Sequence, residues 1–341
     1  MALQATFPIT FDIVIFSIIA AVIPTIFFVL VIYWFDHYEK EPIWLLAAAF
    51  LWGAVPSIIA AFILNTGLGI PLYLVLGPGL ADATSATLIA PPVEETLKGL
   101  ALIGILLLWR QELDSPLDGI IYGAMVGLGF AMIENIYYFL NVYAQGGAGE
   151  LGTNIFIRSV IFGLNHALFT SMTGLGIAVG RLAKRKFERF AAPIGGWMAA
   201  MFFHFVHNLT ASLASAVGPV VCLITLFNDW GGVLLILAII LWSLYQERSW
   251  IKTYLAEEVD QGLITQTSYE NAASGLRRTS HYANLLFNRG PAAYINGVRF
   301  YHRCSELAYK KHNVAKLHEA KSEELTQSLR KEIRKLQGTL G

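Results

Sequence analysis

The stretch APPVEETLKGLALIGILLLW, residues 90–109, places two adjacent glutamates and one lysine at the head of an apolar run. With the apolar residues before it, the run is long enough to lie in a membrane, because a helix of about 20 residues crosses a hydrocarbon core. Charged side chains at that depth cost about 3 kcal/mol each on insertion scales, so they are candidates for a functional site. The stretch therefore predicts a membrane helix that carries reactive groups.

The composition of the whole chain agrees with a membrane protein. Of its 341 residues, 55% are hydrophobic and only 14% are charged, and the mean hydropathy is +0.56. Soluble globular proteins contain about 25% charged residues. The lipid bilayer is therefore expected to be the solvent of this protein, and no nucleic-acid partner is expected.

Several apolar runs follow one another along the chain. Dividing them at charges, prolines and glycine-rich turns predicts an all-α, polytopic transmembrane helix bundle of about seven spans. The segment 66–83 is short and contains Gly and Pro, so it is expected to be interfacial or re-entrant rather than an eighth span. The predicted spans are 12–34, 43–65, 84–109, 117–143, 153–180, 190–213 and 219–245.

The distribution of basic residues predicts domain organisation and orientation. Residues 1–245 are expected to form the transmembrane core, and residues 246–341 a cytosolic tail of amphipathic helices with mixed charges. The loop 181–189 is rich in Lys and Arg, and the loops near Lys40 and Arg110 each carry one basic residue. By the positive-inside rule, the N-terminus lies outside and the C-terminus in the cytoplasm.

Small residues in the fourth predicted span repeat at intervals of four. Gly119, Gly123, Gly127 and Ala131 lie on one stripe of the helix. Such a stripe allows a second helix to approach closely. We therefore expect this span to be a packing centre.

Ionisable side chains of four predicted spans are expected at one level of the membrane. Counting about 1.5 Å per residue from the span ends places five of them between the midplane and the outer third, although the spans alternate in direction. A purely structural cluster needs fewer ionisable groups than this. The five are Glu94, Glu95, Glu134, His166 and His204.

Local spacing adds partners to this set. Proline suits the first positions of a helix, so the third span is expected to restart near Pro92 with Glu94 and Glu95 in its first turn. Lys98, three and four residues later, is expected to be their counter-ion. Supporting residues one turn from, or next to, the other ionisable groups are Phe130, Asn135, Thr170 and Asn208.

Three further polar residues in the spans are interpreted as less important. Arg158 is expected to extend to the interface at the end of its span. Asp229 is expected to be a packing or helix-break residue. His207 faces about 300° away from His204 around the helix, and His204 is favoured because Asn208 follows it by one turn.

Hydrolysis by an activated water is the reaction that these groups fit best. Glu94 or Glu95 would act as the general base, and His166 and His204 with Asn208 would position the water and stabilise the oxyanion. Glu134 would orient a histidine or complete a metal site. Alternatively, a divalent metal such as zinc would activate the water, with Glu95, Glu134, His166 and His204 as candidate ligands.

Other functions use the same residue types. A transporter or proton-coupled carrier could employ a relay of Glu and His in the bundle. Such carriers usually contain inverted repeats, and only a faint likeness joins residues 166–175 and 207–216. Haem held by His166 and His204 is a third interpretation.

Four motifs in order on successive predicted spans resemble those of the PrsW family of intramembrane proteases, which belongs to the larger group of the CAAX prenyl endopeptidases. The resemblance covers roughly residues 33–210 and includes the loop 36–42. Each motif is weak alone, but four in order are specific. They are EETLK (94–98), FAMIEN (130–135), HALFT (166–170) and HFVHN (204–208).

This resemblance carries implications for activity and location. In the CAAX group the second motif resembles Phe-x-x-x-His, and Glu134 stands in the place of that histidine, which favours PrsW over prenyl-protein processing. The resemblance implies an intramembrane endopeptidase that cuts membrane-anchored proteins near the outer side of a bacterial plasma membrane. It leaves open whether the enzyme uses a metal. The best-described family members cut an anti-sigma factor.

Overall fold

The computed structural model describes residues 7–36, 38, 40–218, 220–317 and 320–340, so His37 and Glu39 of the loop 36–42 lie outside the described residues. Every regular element in these ranges is helical, which confirms the predicted all-α class. The helices are α1 (Phe11–Phe35), α2 (Ile43–Trp52), α3 (Ile58–Leu76), α4 (Pro78–Thr84), α5 (Ala90–Leu108), α6 (Pro116–Ile155), α7 (Asn165–Leu182), α8 (Lys186–Val217), α9 (Val221–Asp260), α10 (Gln266–Ala272), α11 (Gly275–Leu317) and α12 (Ala320–Leu340).

In the described part of the chain, four helical runs are long and apolar enough to cross a membrane, by length and composition. They are Phe11–Phe35, Ile43–Leu76, Pro116–Leu182 and Val221–Asp260. The chain is thus an integral membrane protein, while the number of seven spans stays a prediction. Two predicted spans, in α5 and α8, are not among the four, and both contain polar residues that lower their hydropathy, such as Glu94 and Glu95 in α5.

Helix bounds differ from the predicted spans where prolines and glycines suggested breaks. The second span does not end at residue 65, because α2, a π-helical turn at Gly53–Ser57 and α3 form a continuous run to Leu76. Segment 66–83 is likewise helical, divided at Gly77 with φ 76°. Prolines are tolerated in membrane helices because π-type adjustments satisfy the backbone groups that they release.

The first compact unit, 7–35 and 42–239 within the described ranges, is organised around α6 and α7. These helices are antiparallel: a Cβ on Gly119 would lie 2.2 Å from the Gly174 carbonyl oxygen, and one on Gly127 would lie 2.1 Å from the His166 carbonyl oxygen. Only glycine permits backbones this close. The predicted stripe of small residues is confirmed as a helix-packing surface.

The turn between α6 and α7 is not a simple loop. Helical backbone continues past residue 143 to Gly147, which is non-helical with φ 72° and ψ −161°, and then resumes as far as Ile155, so the predicted loop 144–152 contains a break. A π-helical segment, Phe156–Ile161, follows, and the chain leaves regular helix at 162–164 before α7 begins at Asn165. This break puts His166 at the second residue of α7, where the expected span was continuous.

The second compact unit comprises residues 36–41 and 240–341, described with the gaps given above. It has its own hydrophobic core, contributed by α9, α11 and α12, in which Leu255, Phe300 and Leu307 are fully buried. The buried Arg278 guanidinium donates to the Tyr38 carbonyl oxygen at 3.3 Å. A segment between two early helices therefore belongs to a unit built mostly from the C-terminal third of the chain.

A buried ion-pair network stabilises this second unit. Glu258 is fully buried, and its carboxylate accepts hydrogen bonds from Lys311 at 2.8 Å and from Arg330 at 2.7 Å. The adjacent Glu257 is exposed and contacts Lys311 at 2.7 Å. Neighbouring glutamates of one helix thus differ in burial while they share a partner.

Candidate active site

The helix α5 supplies the two glutamates from near its beginning. It runs from Ala90 with prolines at its first positions, but the π-helical turn Ser85–Ile89 joins it to α4 without interruption, so the helix does not restart near Pro92 as predicted. Counted from Ala90, Glu94 and Glu95 lie in the second turn of α5 rather than its first. Both side chains are buried, as is Lys98 one turn later.

Glu95 uses both of its carboxylate oxygens to hold neighbouring groups. Its Oε1 accepts a hydrogen bond from Lys98 Nζ at 2.7 Å and lies 2.9 Å from His204 Nδ1. Its Oε2 accepts from Thr170 Oγ1 at 3.2 Å. The residue thus links α5 to α7 and α8 and fixes the His204 ring.

Glu94 has one carboxylate oxygen engaged and one without a hydrogen-bond partner. Asn65 Nδ2, on α3, donates to Glu94 Oε1 at 3.2 Å. Oε2 is buried and has no hydrogen-bond partner among the residues that the structure describes. It lies 3.9 Å from His204 Nε2 and 3.8 Å from Lys98 Nζ. Glu94 therefore presents an available acceptor beside the second nitrogen of His204.

His166 is held on both sides. Its Nε2 lies 2.9 Å from Glu134 Oε2, and its Nδ1 lies 2.9 Å from Lys98 Nζ. The His166 ring is nearly perpendicular to the His204 ring, with the centroids 5.3 Å apart. Residues that are far apart in the sequence thus converge, and the two imidazoles face each other with separate carboxylates behind them.

Arg158 does not extend to the interface as expected. Its Nη2 donates to Glu134 Oε2 at 2.5 Å, and its Nε donates to Asn135 Oδ1 at 2.8 Å. The guanidinium also lies 3.9 Å from the centre of the Tyr138 ring. The expectation is corrected because Arg158, in the π-helical segment, reaches α6, where the partly buried Glu134 carboxylate compensates its charge.

Phe130 and Asn208 lie at the edges of the cluster. The Phe130 ring is 4.1 Å from Lys98 Nζ and 5.3 Å from the His166 ring. Asn208 Nδ2 donates to the Ala86 carbonyl oxygen at 2.8 Å, so it ties α8 to the π-helical turn that precedes α5. In the described ranges, Asn208 forms no hydrogen bond to the glutamates or histidines of the cluster.

A second polar cluster surrounds His207. Its Nδ1 lies 2.6 Å from Asp229 Oδ2, and Asn165 Nδ2 donates to the same oxygen at 2.9 Å. Asn228 donates to the other Asp229 oxygen at 2.8 Å. His207 thus bonds Asp229 and Asn165 rather than the glutamates of the first cluster, and Asp229 pairs with it and with the residue that begins α7.

Three side chains satisfy the geometry of a metal site. Ligand atoms of Glu94, His166 and His204 all lie within 4.8 Å of one another. Two histidines and one glutamate form a common set of ligands for catalytic zinc, and such histidines usually bond to a carboxylate through their other nitrogen. Glu95 and Glu134 make these outer bonds to His204 and His166. The structure therefore groups Glu94 with the two histidines, whereas Glu95 and Glu134 were the carboxylate ligands suggested by the sequence.

The vacant oxygen of Glu94 is the structural observation that fits a cation here. A buried carboxylate oxygen without a donor is costly, and a cation that the histidines hold next to it would stabilise its charge. Lys98 is the cationic neighbour: its ammonium lies 2.9 Å from His166 Nδ1, so a metal bound through that nitrogen would replace this contact.

Two contacts of the cluster were not predicted from the sequence. Asn65 was taken as the last residue of a span, although a lone amide in the apolar sequence FILNTG is a detectable signal. Arg158 was identified, but its side chain was expected at the membrane interface rather than next to Glu134. Both contacts join helices that are distant in sequence, which spacing along one helix does not reveal.

Comparison with known proteins adds independent information. The family model for PrsW family intramembrane metalloproteases matches residues 41–245, more than half of the chain and all four motifs. No solved structure matches significantly. Curated relatives named Protease PrsW include those of Geobacillus kaustophilus (29% identical over 197 residues, 57% of this chain and 78% of the relative), Bacillus subtilis (29% over 178 residues, 50% and 72%) and Clostridioides difficile (32% over 154 residues, 45% and 59%).

Proposed function

Since this chain belongs to the PrsW family of intramembrane metalloproteases, we propose that its buried cluster hydrolyses a peptide bond of a membrane-anchored protein near the outer side of the membrane. The observation that carries the site assignment is the convergence of Glu94, His166 and His204, with ligand atoms within 4.8 Å of one another. A single-span regulatory protein such as an anti-sigma factor is the substrate class that we propose.

Glu94 is the better candidate for the general base. Both oxygens of Glu95 are occupied by Lys98, His204 and Thr170, whereas Glu94 Oε2 has no donor within the described part of the chain. A base must reach the proton that it accepts, directly or through one water. We therefore assign proton transfer from the attacking water to Glu94 and the orientation of His204 to Glu95.

His166 and His204 would hold a divalent metal beside Glu94, which leaves Glu94 Oε2 to accept the proton of the attacking water. A metal bound there supplies Lewis-acid activation of water and polarises the scissile carbonyl. Glu134 and Glu95 keep the two imidazoles oriented through their other ring nitrogens. One N–H of Asn208 is used by the Ala86 carbonyl, and the second is our candidate donor to the oxyanion.

The position of the site along α5 supports cleavage in the outer half of the membrane. Trp44 and Trp109 are in contact, with ring centroids 5.3 Å apart, and Arg110 follows directly. Paired tryptophans next to a basic residue are typical of a membrane interface, and basic loops lie on the cytoplasmic side. Glu94 precedes Trp109 by about 22 Å of helix. This distance supports a position of the cluster in the half of the membrane away from the Trp109 interface.

Cleavage and metal analysis test this proposal together. Purified protein is reconstituted with a panel of synthetic single-span peptides, and its metal content is measured by mass spectrometry. We expect cleavage by the wild type and a loss of about 100-fold or more in kcat for Glu94→Gln, because general-base catalysis contributes about that much.

Two matched variants sharpen the assignment. Glu95→Gln keeps a side chain that can bond Lys98, so it is expected to weaken metal binding about tenfold while it retains part of kcat. Glu150→Gln changes an exposed acid of α6 and should behave as the wild type. Wild-type kcat in Glu94→Gln would refute its role as base, and substrate-dependent ion flux without cleavage would favour a carrier.

A further inference from the structure

Asn65 contacts the candidate active site from α3, a helix that none of the four motifs includes. Its amide nitrogen donates to Glu94 Oε1 at 3.2 Å. Nearby residues of α3 are apolar and exposed, among them Ile63, Leu64 and Leu68. An amide in such a segment costs free energy unless it is hydrogen-bonded, so packing alone does not account for it.

The contact with Glu94 determines which way the amide points. The amide nitrogen of Asn65 faces Glu94 Oε1, which leaves the amide oxygen on the side away from this carboxylate. That oxygen, Oδ1, is buried and has no hydrogen-bond partner within the described ranges, and the same is true of Glu94 Oε2. The bonded pair therefore presents two buried acceptors that lack donors.

A hydrolase brings donors to such acceptors during its reaction. A peptide that is cut inside a membrane must be unwound around the scissile bond, and its backbone N–H groups then lose their helical partners. A buried acceptor of the protein can bond one of these N–H groups. The attacking water can donate a hydrogen bond to a second buried acceptor. Asn65 Oδ1 suits the first task, and Glu94 Oε2 suits the second.

We propose that Asn65 is a substrate-binding and positioning residue: its amide nitrogen fixes Glu94, and its amide oxygen accepts a backbone N–H of the bound peptide. This inference rests on the proposed function and adds to it a contact from α3. Without the amide nitrogen, Glu94 is free to turn away from His204 Nε2. Without the amide oxygen, the unwound substrate loses one hydrogen bond.

The first test replaces Asn65 by leucine in the full chain, with Thr66→Leu as the control because Thr66 is the next residue and is exposed. The probe is a synthetic single-span peptide that the wild type cleaves. For Asn65→Leu, we expect kcat to fall about 100-fold through misplacement of Glu94. KM should rise about tenfold, the equivalent of one hydrogen bond. The melting temperature should match that of the control.

Asn65→Asp separates a role at Glu94 from a structural role. A protonated aspartic acid donates to Glu94 as the amide does, whereas an ionised aspartate repels it. Relative to the wild type, kcat of this variant is therefore expected to fall as the pH rises. A residue that only supports packing would leave the ratio of the two kcat values independent of pH.

The outcomes distinguish this inference from the proposed function. Unchanged kcat and KM in Asn65→Leu, or an equal loss in Thr66→Leu, would overturn the role of Asn65. If the wild type cleaves no peptide of the panel, the proposed function fails. The role of Asn65 is then tested by titrating zinc into the wild type and Asn65→Leu. A zinc dissociation constant raised about 10-fold or more in Asn65→Leu supports the positioning of Glu94, and an unchanged constant overturns it.

Discussion

Replacing Gly127 by alanine should separate the two helices that carry Glu134 and His166. A Cβ at this position would lie 2.1 Å from the His166 carbonyl oxygen and 2.8 Å from the Ala167 nitrogen, and both atoms belong to the backbone of α7. Backbone atoms of a packed helix cannot rotate away as a flexible side chain does. The conflict is therefore relieved only by moving α6 and α7 apart.

The geometry sets the size of the effect. Ordinary van der Waals contact begins at 3.4 Å, so the helices must separate by about 1 Å along this direction. Overpacking of this kind costs about 1–3 kcal/mol of the free energy of unfolding. A shift of about 1 Å in a catalytic group lowers the rate by about 100-fold, so cleavage should fall more visibly than stability.

Gly104→Ala is the matched control, because a Cβ on Gly104 in α5 would meet no atom within 4 Å. Unfolding of both variants in detergent is followed by circular dichroism, and cleavage of a single-span peptide is measured in parallel. We expect only Gly127→Ala to lose stability and activity. Equal unfolding of the two variants would refute the close antiparallel contact between α6 and α7.

Three further predictions concern groups outside the metal cluster. Burial raises the pKa of Asp36 from its ordinary value of 3.8 to about 7, so the folded state binds the proton more tightly and stability falls as the pH rises between these values. In Asp36→Asn, the melting temperature should depend less on pH over that range. Glu258→Ala removes the fully buried partner of the partly buried Lys311 and Arg330 and should cost on the order of 3 kcal/mol in thermal unfolding, whereas Glu257→Ala at the exposed neighbour should cost little. Asp229→Ala removes the partner of His207 and should lower stability by about 2 kcal/mol, and an unchanged melting temperature would contradict that pairing.

Much of the candidate site could be predicted from local spacing. Lys98 is one turn from both glutamates, and the structure places its ammonium 2.7 Å from Glu95 and 3.8 Å from Glu94. Thr170 follows His166 by one turn, and it bonds the same Glu95 that holds His204. The one-turn spacings follow from the period of an α-helix, which the sequence displays directly, whereas the bond between Thr170 and Glu95 joins two different helices.

Helix bounds were predicted less well, because glycine and proline were interpreted as breaks. Pro56 and Pro71 lie inside the continuous run Ile43–Leu76, and α6 continues beyond residue 143. In a membrane, an irregular segment leaves backbone groups without partners, so the chain keeps helical bonding where a soluble protein would form a loop. Neighbouring helices and π-helical turns then absorb the strain.

The class of the protein follows from hydropathy and motif order. Its hydropathy requires helices in a membrane, and its ordered motifs identify the family, since both properties are sums over nearby residues. The tertiary structure decided what each group does. Glu95 bonds Thr170 and His204 across 75 and 109 residues, Arg158 turns to Glu134, and Asn65 leaves one oxygen of Glu94 open. Such assignments depend on the rotation and spacing of packed helices, which long-range contacts set and local periodicity does not encode.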